Sequence, residues 1–279
     1  MRVVERGYVL VEGTKLYYES AGEGEAVVLM HGAFMTAGVW DATFETLSKQ
    51  YRVVRYDWRG MGKSDLGITP YRSYDDLRSL LDALEIDRAH VVGLSAGGYV
   101  AVEFALAYPE RVATLSLVAA GLFGLPESEP LQRDNALFYE AAQAGDMPAM
   151  LQAWTQMWLD GPMQPSDRVD EAVRRKFQEL SRQSLSRFAE FEMPQMLVPA
   201  PIGRLGEIAV PTLVVAGEFD YPDAHAAAGR FMQDIPGARQ EQLSDCAHIP
   251  PMDCPERFNE LLGTFLGRAT ATALPSDPN

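Results

Sequence analysis

Short apolar runs alternate with longer amphipathic segments along most of this chain. Several runs contain only apolar residues, which is typical of strands covered on both faces of a sheet. The predicted strands are Tyr8–Val11, Lys15–Glu19, Ala26–Met30, Arg52–Tyr56, the apolar run that ends at Gly93, Val112–Val118, Thr212–Ala216 and Gln240–Leu243. Apolar residues at helical spacing, or a run of good helix formers, predict helices over 40–49, 73–84 and 99–107 between them. Strands and helices in this order, joined by short connections, predict a parallel sheet with helices on both faces.

The alternation stops between Ala120 and Pro211. This region has no strong strand signal, and apolar spacing predicts helices over 131–144, 147–159, 167–183 and 185–196. It is rich in large apolar side chains: Phe138, Met147, Met150, Trp154, Met157, Trp158, Phe177, Phe188, Phe191, Met193 and Met196. That is more apolar surface than helices need to pack against one another, so the region is expected to cover something else as well.

Length, composition and charge narrow the class of protein. The chain has 279 residues, 47% of them hydrophobic, which fits one large α/β domain or a domain with an insertion. A formal charge of −15 would repel nucleic acid and anionic membranes, so neither is expected as a partner. Because the chain has no apolar run long enough to cross a bilayer and its first residues resemble no secretion signal, we expect a cytoplasmic protein.

The cysteines and histidines do not form a metal-binding pattern. Cys246 and Cys254 lack C-x-x-C spacing and the four histidines are scattered, so we expect two free thiols and no zinc site. The loop 57–64 is rich in glycine, but its G-x-G-K-S lacks the spacing of a nucleotide P-loop, and we expect a structural role for Asp57 and Arg59. No organic cofactor is expected.

Ser95 lies in the chain's most informative motif, G-x-S-x-G, with Gly93 and Gly97 on either side. An apolar run precedes the motif and a helix-forming run follows it. A serine on such a strand–turn–helix is held in a strained conformation with its hydroxyl exposed, and the flanking glycines leave room for two close chain segments. The motif predicts a nucleophilic serine at the N-terminus of a helix.

The strand, the motif and the helix together resemble the nucleophile elbow of the α/β-hydrolase superfamily. The resemblance extends to three further motifs in the family's order: H-G at His31, G-x-x-D ending at Asp220, and H-x-P at His248. It implies an α/β-hydrolase fold, with a mostly parallel eight-stranded sheet, and a catalytic triad of Ser95, Asp220 and His248.

Other roles at the site also follow from the resemblance. Glu218 and Asp223 lie close enough in sequence to rival Asp220 as the triad acid. The backbone N–H groups of Ala33 and Ala96 are implied as the oxyanion donors. His31 is expected to pack and to form hydrogen bonds rather than to act as the base.

The family places a helical cap after the sixth strand, which implies a cap at 121–204 between two parts of the core, 1–120 and 205–268. The cap's inner face is expected to form an apolar acyl or alcohol pocket, for which Phe34, Trp154, Met157 and Trp158 are the candidates. The remaining 269–279 are small and polar and are expected to be disordered.

The implied activity is hydrolysis of a small-molecule carboxylic ester through an acyl-serine, as in a carboxylesterase. A lactonase, of the enol-lactone or acyl-homoserine lactone type, would use the same residues, and a silent member acting as a small-molecule receptor would also retain them. Leu94 stands where carbon–carbon-bond hydrolases of the superfamily tend to have asparagine, so that reaction is less favoured. Nothing in the sequence predicts the oligomeric state.

Overall fold

Eight strands form one sheet in the computed structural model, which describes residues 3–67 and 70–273. The strands are β1 (Glu5–Val11), β2 (Thr14–Ala21), β3 (Ala26–Met30), β4 (Arg52–Tyr56), β5 (Ala89–Leu94), β6 (Val112–Val118), β7 (Thr212–Gly217) and β8 (Arg239–Leu243). Their order in the sheet is β1-β2-β4-β3-β5-β6-β7-β8. β1 pairs antiparallel with β2 and β2 antiparallel with β4, while the remaining pairs are parallel. The predicted mostly parallel sheet is confirmed.

Helices cover both faces of this sheet. They are α1 (Asp41–Leu47), α2 (Ser73–Ala83), α3 (Ala96–Ala107), α7 (Pro222–Asp234), α8 (Pro250–Asp253) and α9 (Pro255–Ala273), with three more in the region after β6. Alternate residues of β3 point to opposite faces: Val28 packs in the cluster that contains α2, α3 and α7, and Val27 packs with α1 and α9. A strand buried on both faces needs apolar residues at every position, which explains its continuous apolar run.

The region after β6 folds into three helices, α4 (Glu129–Gln143), α5 (Met147–Thr155) and α6 (Glu171–Ser186), and a π-helical turn, Gln156–Asp160. Each of the three helices begins at a side chain that accepts a backbone N–H: Ser128, Asp146 and Asp170. That the region forms a separate cap with boundaries at 121 and 204 remains a prediction.

Two predicted segments differ from the structure. Of the helix expected over 185–196, residues 185 and 186 are the end of α6 and Phe188–Glu190 is a 3-10 turn. The chain that follows has no regular structure, and Pro194, which lacks a backbone N–H, prevents a helix from continuing through it. At the C-terminus, α9 continues to Ala273 and so enters the tail 269–279 that was expected to be disordered. Residues 274–279 of that tail lie outside the described residues. None of the described helices is long and apolar enough to span a membrane.

The loop after β4 has the structural role that its sequence predicted. Asp57 accepts the backbone N–H of Ala37 at 2.7 Å and that of Lys63 at 2.9 Å. Arg59 forms a buried ion pair with Asp76 of α2, at 2.6 Å. These contacts hold the loop against neighbouring turns close to the carboxyl ends of β3 and β5.

Candidate active site

Ser95 lies at the sharp turn between β5 and α3, with a φ of 55° that side chains rarely adopt. Its N–H donates to the carbonyl of Val118 at 2.8 Å, which ties the turn to β6. A Cβ on Gly93 would overlap the Gly97 carbonyl, and a Cβ on Gly97 would overlap that of Met30. The glycines are therefore required by close chain approach, and the strained turn leaves the Ser95 side chain half-buried at the cavity edge.

His248 and Asp220 complete a hydrogen-bonded row with Ser95. His248 Nε2 lies 2.7 Å from Ser95 Oγ, and its Nδ1 lies 2.8 Å from Asp220 Oδ2. His248 is 4% exposed and Asp220 6%, so the row is nearly sealed from water on the imidazole side. The backbone N–H of Tyr221 donates to Asp220 Oδ1 at 2.7 Å and orients that carboxylate. This geometry is that of a histidine base that can take the proton of a serine hydroxyl. The buried carboxylate fixes which imidazole nitrogen carries the proton.

The two rival acids have other partners. Glu218 is exposed and accepts the N–H of Asp245 at 3.0 Å. Asp223 accepts the N–H and the hydroxyl of Ser128 at the start of α4. Of these three carboxylates, only Asp220 is in hydrogen-bond contact with His248.

Ala33 and Ala96, the predicted oxyanion donors, both border the cavity beside Ser95. Ala96 is the first residue of α3, so its N–H has no intrahelical acceptor, and the helix dipole adds positive potential there. A Cβ on Gly32 would lie 3.1 Å from Ser95 Cβ, which shows how closely the turn before Ala33 approaches the serine.

His31 supports that turn and does not reach the row of Ser95, His248 and Asp220. Its Nδ1 lies 2.7 Å from the Gly32 carbonyl and its Nε2 accepts the N–H of Trp58 at 3.2 Å. Both contacts are satisfied by one neutral tautomer, in which Nδ1 carries the proton and donates it to the carbonyl. Complete burial lowers the pKa of His31, in agreement with a neutral ring.

A largely apolar cavity of about 390 Å³ opens above Ser95 and His248. Of the four side chains predicted to form the pocket, Phe34 and Trp158 line this cavity. Trp158 also packs against the imidazole of His248, with 4.5 Å between ring centroids. Trp154 and Met157 are not among the lining residues: both are buried behind the wall, where Trp154 packs edge-on against Phe34.

The cysteines are paired, contrary to the expectation of free thiols. Cys246 and Cys254 form a disulfide that closes the segment carrying His248. The sequence separation of eight gave no motif, since α8 brings the second cysteine back to the first only in the folded chain. Disulfides are rare in a reducing cytosol, so this bond does not favour the predicted cytoplasmic location.

Arg168 is a residue whose role the sequence did not reveal, because a lone arginine in a polar stretch resembles a solvated surface residue. Its guanidinium donates to the carbonyls of Leu159 and Asp160 in the π-helical turn and lies 2.7 Å from a carboxylate oxygen of Asp253. That same carboxylate accepts the N–H of Ala247, the residue before His248, at 2.6 Å. Arg168 thus joins the turn that carries Trp158 to the loop that carries His248.

Substituting Arg168 by Met should lower kcat by about tenfold to a hundredfold, because small displacements of a catalytic base are costly. Steady-state kinetics would measure the change in kcat, and thermal unfolding of the same preparations would measure any change in stability. Arg175→Met is the matched control, since Arg175 is exposed and pairs only with Glu171 on its own helix among the described residues. A fall in melting temperature with kcat unchanged would show that Arg168 acts on stability alone.

No group of three or more His, Cys, Asp or Glu side chains in residues 3–67 and 70–273 is arranged to hold a metal ion. The chemistry that the site itself offers is nucleophilic attack by a serine beside a histidine base, next to an N-terminal helix dipole.

Comparison with known proteins gives consistent matches over most of the chain. Residues 27–261 match the model of a protein family described as the alpha/beta hydrolase family. A 2-hydroxy-6-oxo-6-phenylhexa-2,4-dienoate hydrolase from Comamonas testosteroni is 30% identical over 90% of this chain and 91% of its own. Two solved structures also superpose on this chain. An N-acyl homoserine lactone degrading enzyme is 29% identical, with a TM-score of 0.76, and the match covers 93% of this chain and 100% of that enzyme. The enol-lactonase from Burkholderia xenovorans is 27% identical, with a TM-score of 0.77, and the match covers 94% of this chain and 100% of the lactonase.

Proposed function

The chain belongs to the alpha/beta hydrolase family, and we propose that it hydrolyses carboxylic esters that carry no negative charge, through an acyl-enzyme on Ser95. The observation that carries the proposal is the continuous row Ser95–His248–Asp220, with contacts of 2.7 and 2.8 Å, beneath an apolar cavity. The first-choice substrates are acyclic carboxylic esters, and the residues in this row are the proposed catalytic residues.

The proposed reaction has two halves. Ser95 Oγ attacks the ester carbonyl while His248 Nε2 takes its proton, and the N–H groups of Ala33 and Ala96 stabilise the oxyanion. His248 then gives the proton to the leaving alcohol, which departs and leaves an acyl-serine. Water, deprotonated by His248, attacks the acyl-serine and releases the carboxylic acid and free Ser95. Asp220 holds the imidazole tautomer and stabilises its cation in both halves.

Charge in the cavity argues against substrates that carry a carboxylate. Among the described residues, its lining includes Glu103, Glu127 and Asp223 but no lysine or arginine. A carboxylate transferred there would lose water and meet like charges without a compensating cation. The dienoates in the names of the sequence relatives are carboxylates, so we propose that this chain differs from them in substrate. Leu94 does not bear on the choice, because it is fully buried and outside the lining.

Lactone ring opening is the second candidate. It is favoured by the two superposed structures, one named as a lactone-degrading enzyme and the other as an enol-lactonase. A lactone is an internal ester, so the same acyl-serine would form with the alcohol still attached to the acyl group. A small-molecule receptor of the same fold would retain these residues as well, and sustained turnover of an ester or a lactone is the result that would distinguish an enzyme from it.

A panel of p-nitrophenyl and alkyl esters, neutral lactones and one dienoate, assayed at equal concentration, tests this function. We expect sustained turnover of neutral esters, with kcat/KM at least about tenfold above that of the same ester ending in a carboxylate. The neutral ester and its carboxylate counterpart have the same chain length, so a difference in kcat/KM between them reports the effect of charge. Equal or faster turnover of the carboxylate ester would overturn the charge argument. Release of one equivalent of product without further turnover would favour a receptor.

A further inference from the structure

Glu103 lies in the wall of the cavity, two helical turns along α3 from Ser95. Ala96, Tyr99, Val100 and Glu103 all border the cavity, as expected for one face of a helix. At the helical rise, the Cα atoms of Ser95 and Glu103 are roughly 12 Å apart. The cavity therefore extends from the nucleophile to a carboxyl group that the proposed reaction does not use.

The Glu103 side chain is largely buried, and one of its two carboxylate oxygens has a hydrogen-bond partner. It is 7% exposed, and its Oε1 accepts the N–H of Leu197 at 2.7 Å. Within the part of the chain that the structure describes, Oε2 has no hydrogen-bond donor or cation in contact. Burial raises the pKa of Glu103, and the hydrogen bond from the N–H of Leu197 partly offsets that rise. In its ionised form this carboxylate has no positive partner, and a cationic group on a bound molecule would supply one.

Negative charge and aromatic faces occur elsewhere along the same cavity. Burial raises the pKa of Tyr99 to about 12, and the charges of Asp223 and Glu127 contribute to the rise. Both acids line the same cavity. The ring of Phe123 stacks on Tyr99, with 4.1 Å between centroids. Carboxylates together with aromatic rings form the environment that attracts ammonium groups.

We propose that the preferred ester substrates carry an ammonium group at the end remote from the scissile carbonyl, where Glu103 and the rings of Tyr99 and Phe123 bind it. The proposal rests on the ester hydrolysis proposed above and names the substrate class of that same site. Glu103 would be a specificity-determining residue: it contacts the cation and takes no part in bond making.

The test uses isosteric ester pairs that end in trimethylammonium or in tert-butyl, which differ in charge but hardly in shape. Spacers of about four to nine atoms cover the distance, since an extended chain advances about 1.2 Å per bond. The cation is placed in the acyl part in one series and in the alcohol part in the other. At mildly alkaline pH we expect kcat/KM for the cationic ester to exceed that of its neutral partner about tenfold to a hundredfold at one optimal spacer. A ratio of one or less at every spacer in both series would overturn the proposal.

Glu103→Gln should reduce that ratio by about tenfold, since the amide keeps the shape and an acceptor for Leu197 but loses the charge. Glu110→Gln is the matched control: Glu110 is exposed on another surface, so the same change in net charge should leave the ratio as it is in the native protein. A ratio that falls equally in both variants would indicate a long-range effect of net charge and contradict a site at Glu103.

Inhibition of the native protein gives a measurement that needs no substitution. Alkyltrimethylammonium ions should compete with a neutral ester about tenfold more strongly than their tert-butyl isosteres, and the difference should shrink as salt screens the charge. Equal inhibition by the two isosteres would contradict the proposal. If neutral esters are hydrolysed by Ser95 but show no preference for the cation, only the proposal about Glu103 fails. If no ester is hydrolysed, the proposed function itself fails.

Discussion

Replacing Ser95 by alanine should lower kcat for the best ester by about five to six orders of magnitude, while KM changes little. The expected loss is large because Ser95 Oγ forms the bond to the acyl group and His248 has no other proton donor in position. The 2.7 Å contact between Ser95 Oγ and His248 Nε2 aligns the hydroxyl with the imidazole before substrate binds. Single-turnover and steady-state assays on the same ester would measure the loss.

Ser116→Ala is the matched control for this substitution. Ser116 lies on the neighbouring strand β6, is fully buried, and its hydroxyl has no hydrogen-bond partner among the described residues. Removing it should leave turnover close to that of the native protein. If Ser95→Ala kept more than about a hundredth of the native kcat, a covalent role for Ser95 would be excluded.

Asp220→Asn should lower kcat by about four orders of magnitude, the second largest effect expected. The carboxylate of Asp220 accepts a hydrogen bond from His248 Nδ1–H. The amide of asparagine can instead donate to Nδ1, which stabilises the tautomer with its proton on Nε2. In that tautomer Nε2 cannot act as a base. The pH dependence of kcat in both proteins would show whether a weak residual base remains.

Glu218→Gln is the comparison that decides between the acids. Glu218 is exposed and bonded to the N–H of Asp245, so its loss should change kcat by no more than a few-fold through small movements of the loop before His248. Should Glu218→Gln cause the larger fall, the assignment of the acid would pass to Glu218.

Local patterns in the sequence predicted the strands, the order of the motifs and Ser95 as the candidate nucleophile. A strand buried on both faces must be apolar throughout, and Ala26–Met30 is, so its prediction needed no tertiary information. The requirement for glycine beside Ser95 is equally local, because two chain segments come too close for any side chain there. The order of serine, acid and histidine then implied the fold, and the family match over residues 27–261 bears that out.

Only the tertiary structure brought Asp220 into contact with His248, paired Cys246 with Cys254, and placed Trp158 on the cavity while Trp154 lies behind it. Side chains a few residues apart on one turn or helix differ in the direction they point. Which of them faces a distant group such as the imidazole depends on how the other elements pack around that turn or helix. The same holds for Glu103, which resembles an ordinary helix-surface acid in the sequence. It becomes a largely buried group in the cavity wall, two helical turns from Ser95, because the chain around Leu197 returns to cover it.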